Sequence, residues 1–138
     1  MTEKNDYQLL RRHLAGANVR IDRIENLLVE GMPDINICIE GTESWIELKS
    51  PKEPKRYNTR LFGSAHRLSR EQMNWFHRQK AAGGKCWIFI CTNKRLMLVD
   101  GAFADHVNHM TVGELIAVAK WHAPRRNKQW KLLKHCLK

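Results

Sequence analysis

Three residues in one short stretch have the types and spacing to do chemistry: Asp34, Glu47 and Lys49. They lie in Gly31-Met32-Pro33-Asp34-Ile35-Asn36-Ile37-Cys38-Ile39-Glu40 and its continuation through Gly41 to Trp45-Ile46-Glu47-Leu48-Lys49. Ile35, Ile37 and Ile39 alternate with Asp34, Asn36 and Cys38, the period-two pattern of a strand with two different faces. Gly41 and its polar neighbours supply a turn. In the second strand Trp45, Glu47 and Lys49 share one face, and Ile46 and Leu48 the other. A hairpin in register therefore brings Asp34, Glu47 and Lys49 together at one end of a sheet. Two carboxylates and an ammonium beside apolar neighbours are costly unless something binds them. A divalent cation removes most of that cost, and carboxylate oxygens are the hard ligands that Mg²⁺ prefers. The backbone carbonyl of Leu48, between the two charged residues, is a further candidate ligand. Such a metal generates hydroxide from bound water and neutralises charge building on a phosphodiester. Lys49 would stand beside that water, orienting it or stabilising the transition state.

The ordered set of Arg23-Ile24-Glu25-Asn26, Gly31-Met32-Pro33-Asp34 and Trp45-Ile46-Glu47-Leu48-Lys49 continues into Leu68-Ser69-Arg70-Glu71-Gln72 and Ala82-Gly83-Gly84. It resembles the PD-(D/E)xK nuclease superfamily, and most narrowly the virus-type replication-repair (VRR-Nuc) nucleases of phages and bacteria. A bare Glu-x-Lys is common by chance; the ordered set in its strand and helix context is far more specific. The resemblance runs over roughly residues 19–100 and is silent on the C-terminal fifth. It implies a restriction-endonuclease-like core, Mg²⁺- or Mn²⁺-dependent hydrolysis of DNA, and a homodimer acting on branched substrates such as Holliday junctions. It also implies a metal-linked acidic residue on the first helix, where only Glu3 and Asp6 are available, and a polar helix residue against the site, here Gln72. Glu25 is an alternative accessory metal ligand, with a cross-strand ion pair to an arginine as the plainer reading.

Composition agrees with a polyanionic partner. The chain has 138 residues, 43% of them hydrophobic, and a net charge of +10, which points to one globular domain that binds nucleic acid before membrane. The N-terminal residues have no apolar signal core and no run is long enough to span a bilayer, so an intracellular protein is expected. Cys86 and Cys91 fall on opposite faces of one strand, and Cys38 and Cys136 lack CxxC spacing, so four reduced thiols are expected. His106 and His109 lie three apart without a third ligand nearby, which argues against zinc.

The elements that must position the trio follow from periodicity. Tyr7, Leu10 and Leu14 predict a helix over about 5–15, ended by Gly16. Val19 to Asn26 alternates for most of its length and predicts a first strand pairing with the one beginning at Asp34. Pro33, lacking an N–H, suits a strand's first residue. Residues 50–67 form a long irregular connection with two prolines and repeated positive charge. Its Lys52, Lys55, Arg56 and Arg60 predict a DNA-contacting loop that orders on binding, against the alternative of a solvated mobile loop. Ser69-x-x-Gln72 has the spacing of a capping box for a helix to about Ala82, which is the default role of Gln72. Lys85–Cys91 predicts a strand covered on both sides, and Arg95–Val99 an antiparallel edge strand. The expected architecture is α/β, a central mixed β-sheet flanked by helices, as a single domain over 1–138.

From Gly101 the pattern turns helical, with Val112, Leu115, Ile116 and Ala119 in a stripe behind Thr111 as the cap. After Pro124 the residues of 124–138 form a basic tail, with Trp130, Leu133 and Leu137 on one helical face. Its cations, Arg125, Arg126 and Lys128 among them, would contact DNA, dock a partner subunit or lie on an anionic membrane; DNA fits the proposed chemistry best. Two rival readings stand beside the nuclease: a non-catalytic DNA- or junction-binding module on a nuclease scaffold, and an RNA-directed nuclease. All three site residues are intact, which disfavours the first. No aromatic single-strand platform is evident to support the second.

Overall fold

The computed structural model describes residues 2–25, 28–126 and 129–138. Lys128, expected to contact DNA, lies outside the described residues, as does Asn26 at the end of the anticipated first strand.

The chain opens with α1 (Glu3–Leu14), whose Thr2 hydroxyl caps the first turn by accepting from the Asn5 N–H at 3.2 Å. Then come β1 (Val19–Arg23), β2 (Ile35–Ile39), β3 (Thr42–Lys49), α2 (Arg70–Ala81), β4 (Cys86–Cys91) and β5 (Arg95–Asp100). Two short 3-10 turns, Gly101–Phe103 and Val107–His109, lead to α3 (Val112–Val118), β6 (Trp121–Pro124) and α4 (Trp130–Cys136). The six strands form one sheet in chain order, β1-β2-β3-β4-β5-β6, antiparallel throughout except for the parallel β3–β4 pair. That pair is spanned by the segment carrying α2, as a parallel pair requires. The expected mixed sheet flanked by helices is what the chain forms.

Strand alternation fills both faces. Ile35, Ile37, Ile39, Ile46 and Leu48 join Trp87, Phe89 and Leu98 in a core closed by Tyr7, Leu10 and Leu14 of α1 and by Trp130, Leu133 and Leu137 of α4. Ile88, Ile90, Met97 and Val99 pack on the opposite face against Phe76 of α2 and Val112 and Leu115 of α3. Cys86 and Cys91 divide between these two cores, and the four cysteines are free. Glu40 and Gly41, with φ of 48° and 87°, make the two-residue turn closed by the Ile39–Thr42 pair. Positive φ at both positions gives the twist that an antiparallel hairpin needs.

Three expectations change. β5 is interior, because β6 pairs along its outer side from Arg95–Pro124 to Leu98–Trp121. Pro124 is tolerated there because β6 is itself the edge. The basic C-terminal segment is no detached tail: the apolar face of α4 belongs to the core, and Trp130 stacks on His13 of α1 at 4.4 Å. Truncation at Pro124 would open that core. The connection over 50–69 is irregular but anchored. Leu61, Phe62 and Leu68 are buried, and Glu53, 5% exposed, takes a two-pronged bond from Arg95 with Nε–Oε1 at 2.6 Å. Backbone bonds from Val112 N–H to Thr59 O and from Gly113 N–H to Tyr57 O hold it across the start of α3. A segment so fastened has no need of DNA to order it. Among the described residues no helix is long and apolar enough to cross a membrane.

Candidate active site

The hairpin register sets Ile35 opposite Ile46, so Asp34, one residue before β2, stands opposite Glu47. Its backbone is fixed by the Ile24 N–H, which donates to the Asp34 carbonyl at 2.6 Å. Its side chain is fixed by the Leu48 N–H, which donates to Asp34 Oδ2 at 3.1 Å. A residue's N–H and C=O leave a strand on the same side, so the Leu48 carbonyl opens toward the same edge as this bond. The loop that delivers Pro33 and Asp34 passes tightly over the first turn of α2. Gly31 has φ +81°, and a Cβ there would lie 2.1 Å from the Glu71 carbonyl oxygen. Only glycine allows both the conformation and the approach.

Glu47 is 3% exposed and Lys49 is 8% exposed. Glu47 Oε2 accepts from Gln72 Nε2 at 3.0 Å and lies 3.6 Å from Lys49 Nζ. Lys49 Nζ also donates to Gln72 Oε1 and to the Arg67 carbonyl, both at 3.4 Å. Gln72 thus both caps its helix and contacts Glu47. Its Oε1 accepts from the Ser69 N–H at 2.9 Å while Ser69 Oγ accepts from the Gln72 N–H at 3.1 Å, completing the capping box of α2. The same side chain reaches across to the carboxylate.

Glu47 Oε1, in contrast, is buried with no hydrogen-bond partner among the described residues. Burial first, and then the neighbouring Asp34 charge, push the Glu47 carboxyl well above its ordinary range; Lys49 opposes, while the charge of Glu3 adds to the rise. Glu3, in the first turn of α1, is raised for the same two leading reasons, burial and Asp34. This is the signature of like-charged groups forced together away from water. A proton relieves it; so does a cation.

The donor set fits a hard divalent cation. Among the described residues no three His, Cys, Asp or Glu side chains converge as a ready-made metal cluster. Two carboxylates from Asp34 and Glu47, with one unpartnered buried oxygen and an adjacent backbone carbonyl, leave most of the coordination shell to water and substrate. That is the Mg²⁺ pattern rather than the all-protein cage of zinc or calcium.

The other anticipated residues divide. Glu25 is exposed past the end of β1 and is not among the charges that shift Glu47 or Glu3. The third acid at the site is Glu3, whose signal was its place at the start of the first helix. Lys52, Lys55, Arg56 and Arg60 are exposed. Arg125 is not free for a phosphate. Its NH2 lies 2.5 Å from Oδ1 of fully buried Asp6, which also accepts from Ser50 Oγ at 2.6 Å, and its NH1 donates to the Thr92 carbonyl at 3.0 Å. A buried carboxylate requires such a partner, so Asp6 is a structural anchor beside the site. Arg126 is exposed. Sequence reasoning missed Asn108, 6% exposed, whose amide donates to the Leu68 carbonyl and accepts from the Leu68 N–H, both within 2.9 Å. It pins the residue between the Arg67 carbonyl and the Ser69 cap; set between Val107 and His109, it carried no sequence signal of this role.

No protein-family model and no curated protein matches the chain. Among solved structures it is similar to Hjc of Archaeoglobus fulgidus, a Holliday junction resolvase from an archaeal hyperthermophile. The TM-score is 0.49 and the identity 15%, over 73% of this chain and 76% of that one. At that distance the chemistry has to be read from the residues of this chain themselves.

Proposed function

We propose that the chain is a Mg²⁺- or Mn²⁺-dependent endodeoxyribonuclease that hydrolyses phosphodiester bonds, selective for branched DNA such as Holliday junctions. The observation that carries the reading is buried Glu47 facing half-buried Asp34, with Glu47 Oε1 lacking any donor among the described residues and Lys49 beside it. The arrangement is costly without a bound cation, and it supplies the hard oxygen ligands that a metal-dependent hydrolase uses. The net charge of +10 supports a polyanionic substrate. The preference for branched DNA and the action as a homodimer rest on the sequence resemblance to virus-type replication-repair nucleases.

In this reading Asp34, Glu47 and the Leu48 carbonyl hold the metal. When bound, it supplies hydroxide from water and neutralises charge on the phosphate. The Leu48 N–H fixes the orientation of Asp34, and Gln72 fixes that of Glu47. Lys49, tethered by the Arg67 carbonyl and Gln72, presents its ammonium to the attacking water and the developing charge. Gln72 is a positioning residue. Glu3 would tune the local charge from α1. Lys52, Lys55, Arg56, Arg60 and Arg126 would contact phosphates without reading sequence.

Asp34→Ala and Glu47→Ala are expected to abolish cleavage while leaving DNA binding within a few-fold of wild type. Lys49→Ala is expected to slow cleavage by about 10²–10³-fold, the cost of removing a preorganised charge donor, with metal affinity retained. Wild-type cleavage by either carboxylate variant would remove the site assignment.

A further inference from the structure

Along the outer side of α1 runs a groove of about 510 Å³, lined by Asn5, Gln8, Leu9, Arg12, Asn93, Arg125 and Arg126. Asn5, Gln8 and Arg12 recur at i, i+3 and i+7 and so form one row on the helix. The lining contains no acidic side chain. The nearest carboxylate in the chain, Asp6, is fully buried and already neutralised by Arg125. The wall is built. Arg125 is clamped between Asp6 and the Thr92 carbonyl, and Asn93 Oδ1 is occupied by the Glu53 N–H at 2.9 Å, which leaves the Asn93 amide N–H groups to donate. Arg12 and Arg126 are exposed along it.

The groove's length and polarity indicate its occupant. The eight residues of helix from Asn5 to Arg12 span about 10 Å at 1.5 Å of rise per step, too long for one phosphate. A DNA strand rises about 3.4 Å per nucleotide, so the row matches about three successive phosphates. Its polar, arginine-rich lining lacks the apolar walls that hold a small organic ligand. The groove adjoins the end of the strand that carries the catalytic residues, because Arg125 in its lining pairs with Asp6. Ser50, directly after Lys49, donates to that same Asp6 carboxylate at 2.6 Å.

We propose that this groove carries the sugar-phosphate backbone of the DNA strand leaving the active site, with Arg12 and Arg126 gripping phosphates beyond the cut. The proposal rests on the nuclease reading and adds the path of the strand.

The test measures binding separately from cutting. Wild type, Arg12→Gln/Arg126→Gln and Arg11→Gln are compared by fluorescence anisotropy over a salt series in chelator, on junction and duplex DNA. Arg11 is exposed on the same helix but outside the groove, so it controls for net charge. The double variant is expected to lose about 10–100-fold in affinity and to flatten the log–log salt slope by about 2, with an unchanged melting temperature. Arg11→Gln is expected to bind within a few-fold of wild type. Shortening the arm beyond the cut to two nucleotides should weaken wild type and leave the double variant unaffected. Wild-type affinity and slope in the double variant, an equal loss in Arg11→Gln, or no dependence on arm length would each overturn the groove. Whether wild type cuts DNA with metal decides the nuclease reading independently, since a groove variant that cuts but binds normally removes only the strand path.

Discussion

Replacing Glu47 with glutamine is expected to destroy activity and yet stabilise the metal-free protein. Glu47 is 3% exposed, its Oε1 has no protein donor and its neighbour is another carboxylate. An amide keeps an acceptor for Gln72 Nε2, supplies a donor toward Asp34 and removes the like-charge repulsion. Leaving a buried polar group unsatisfied costs about 1–3 kcal/mol, and more when it is charged. At about 2.1 cal/mol/K per residue, that range corresponds to a rise in melting temperature of roughly 3–10 °C for 138 residues. The pH dependence has a definite sign. Burial and Asp34 raise the folded-state pKa of Glu47 above its unfolded value, so the folded state binds more protons between the two values. Wild-type stability is therefore intact below the ordinary carboxylate range and is lost as pH rises toward the raised pKa. Glu3 is shifted in the same direction and adds to this loss. The assay is thermal unfolding in chelator, from mildly acidic to mildly alkaline pH. Glu47→Gln should melt higher at alkaline pH, converge on wild type as pH falls, and show no gain from Mn²⁺, which should raise the wild-type midpoint by mass action. A destabilised Glu47→Gln, or a difference independent of pH, would refute the account of the buried Glu47 carboxylate beside Asp34.

Gln72→Leu removes both the return bond of the capping box and the donor to Glu47. It should cost about 1 kcal/mol and move the acidic limb of the pH–rate profile upward, because the ionised carboxylate loses a hydrogen bond; Ser69→Ala should cost similar stability without moving the profile. Gly31→Ala meets both a φ of +81° and the Glu71 carbonyl at 2.1 Å. It is expected to lose more than the roughly 1–2 kcal/mol of left-handed strain alone and to cut more slowly, as Asp34 shifts with its loop; chemical denaturation and single-turnover cleavage check the two effects. Arg125→Met strands the buried Asp6 carboxylate, a loss of about 3–5 kcal/mol visible in thermal melts, and Asp6→Leu in the same chain should restore much of it.

Much of the site was legible because a strand's period of two leaves little freedom. Once Ile35, Ile37 and Ile39 are assigned to the core face, Asp34 and Glu47 must meet on the other. The Ser69–Gln72 spacing likewise announced the helix whose first turn closes the site. What escaped was set by long-range packing. β6 has only four residues and contains a proline, so its alternation of buried Trp121 and Ala123 with exposed His122 and Pro124 is too short to stand out. Arg125 read as a free cation because its partner, Asp6, lies 119 residues away in the chain. The 50–69 connection read as mobile from its prolines and charges, while the contacts that fasten it, Glu53 to Arg95 and Leu68 to Asn108, link residues 40 or more apart. Glu25 and Glu3 were separated only by geometry: one strand ends before the site and one helix begins at it.

The measurement that tests the central claim most directly is cleavage of labelled duplex, single-stranded, flap and four-way junction DNA. Each substrate is incubated with Mg²⁺, with Mn²⁺ and with chelator, using wild type and Glu47→Ala. The account predicts cutting with either metal, strongest on the junction, none in chelator and none by the variant. Tight junction binding with no cutting under any metal, or cutting that survives chelator or the loss of Glu47, would contradict it.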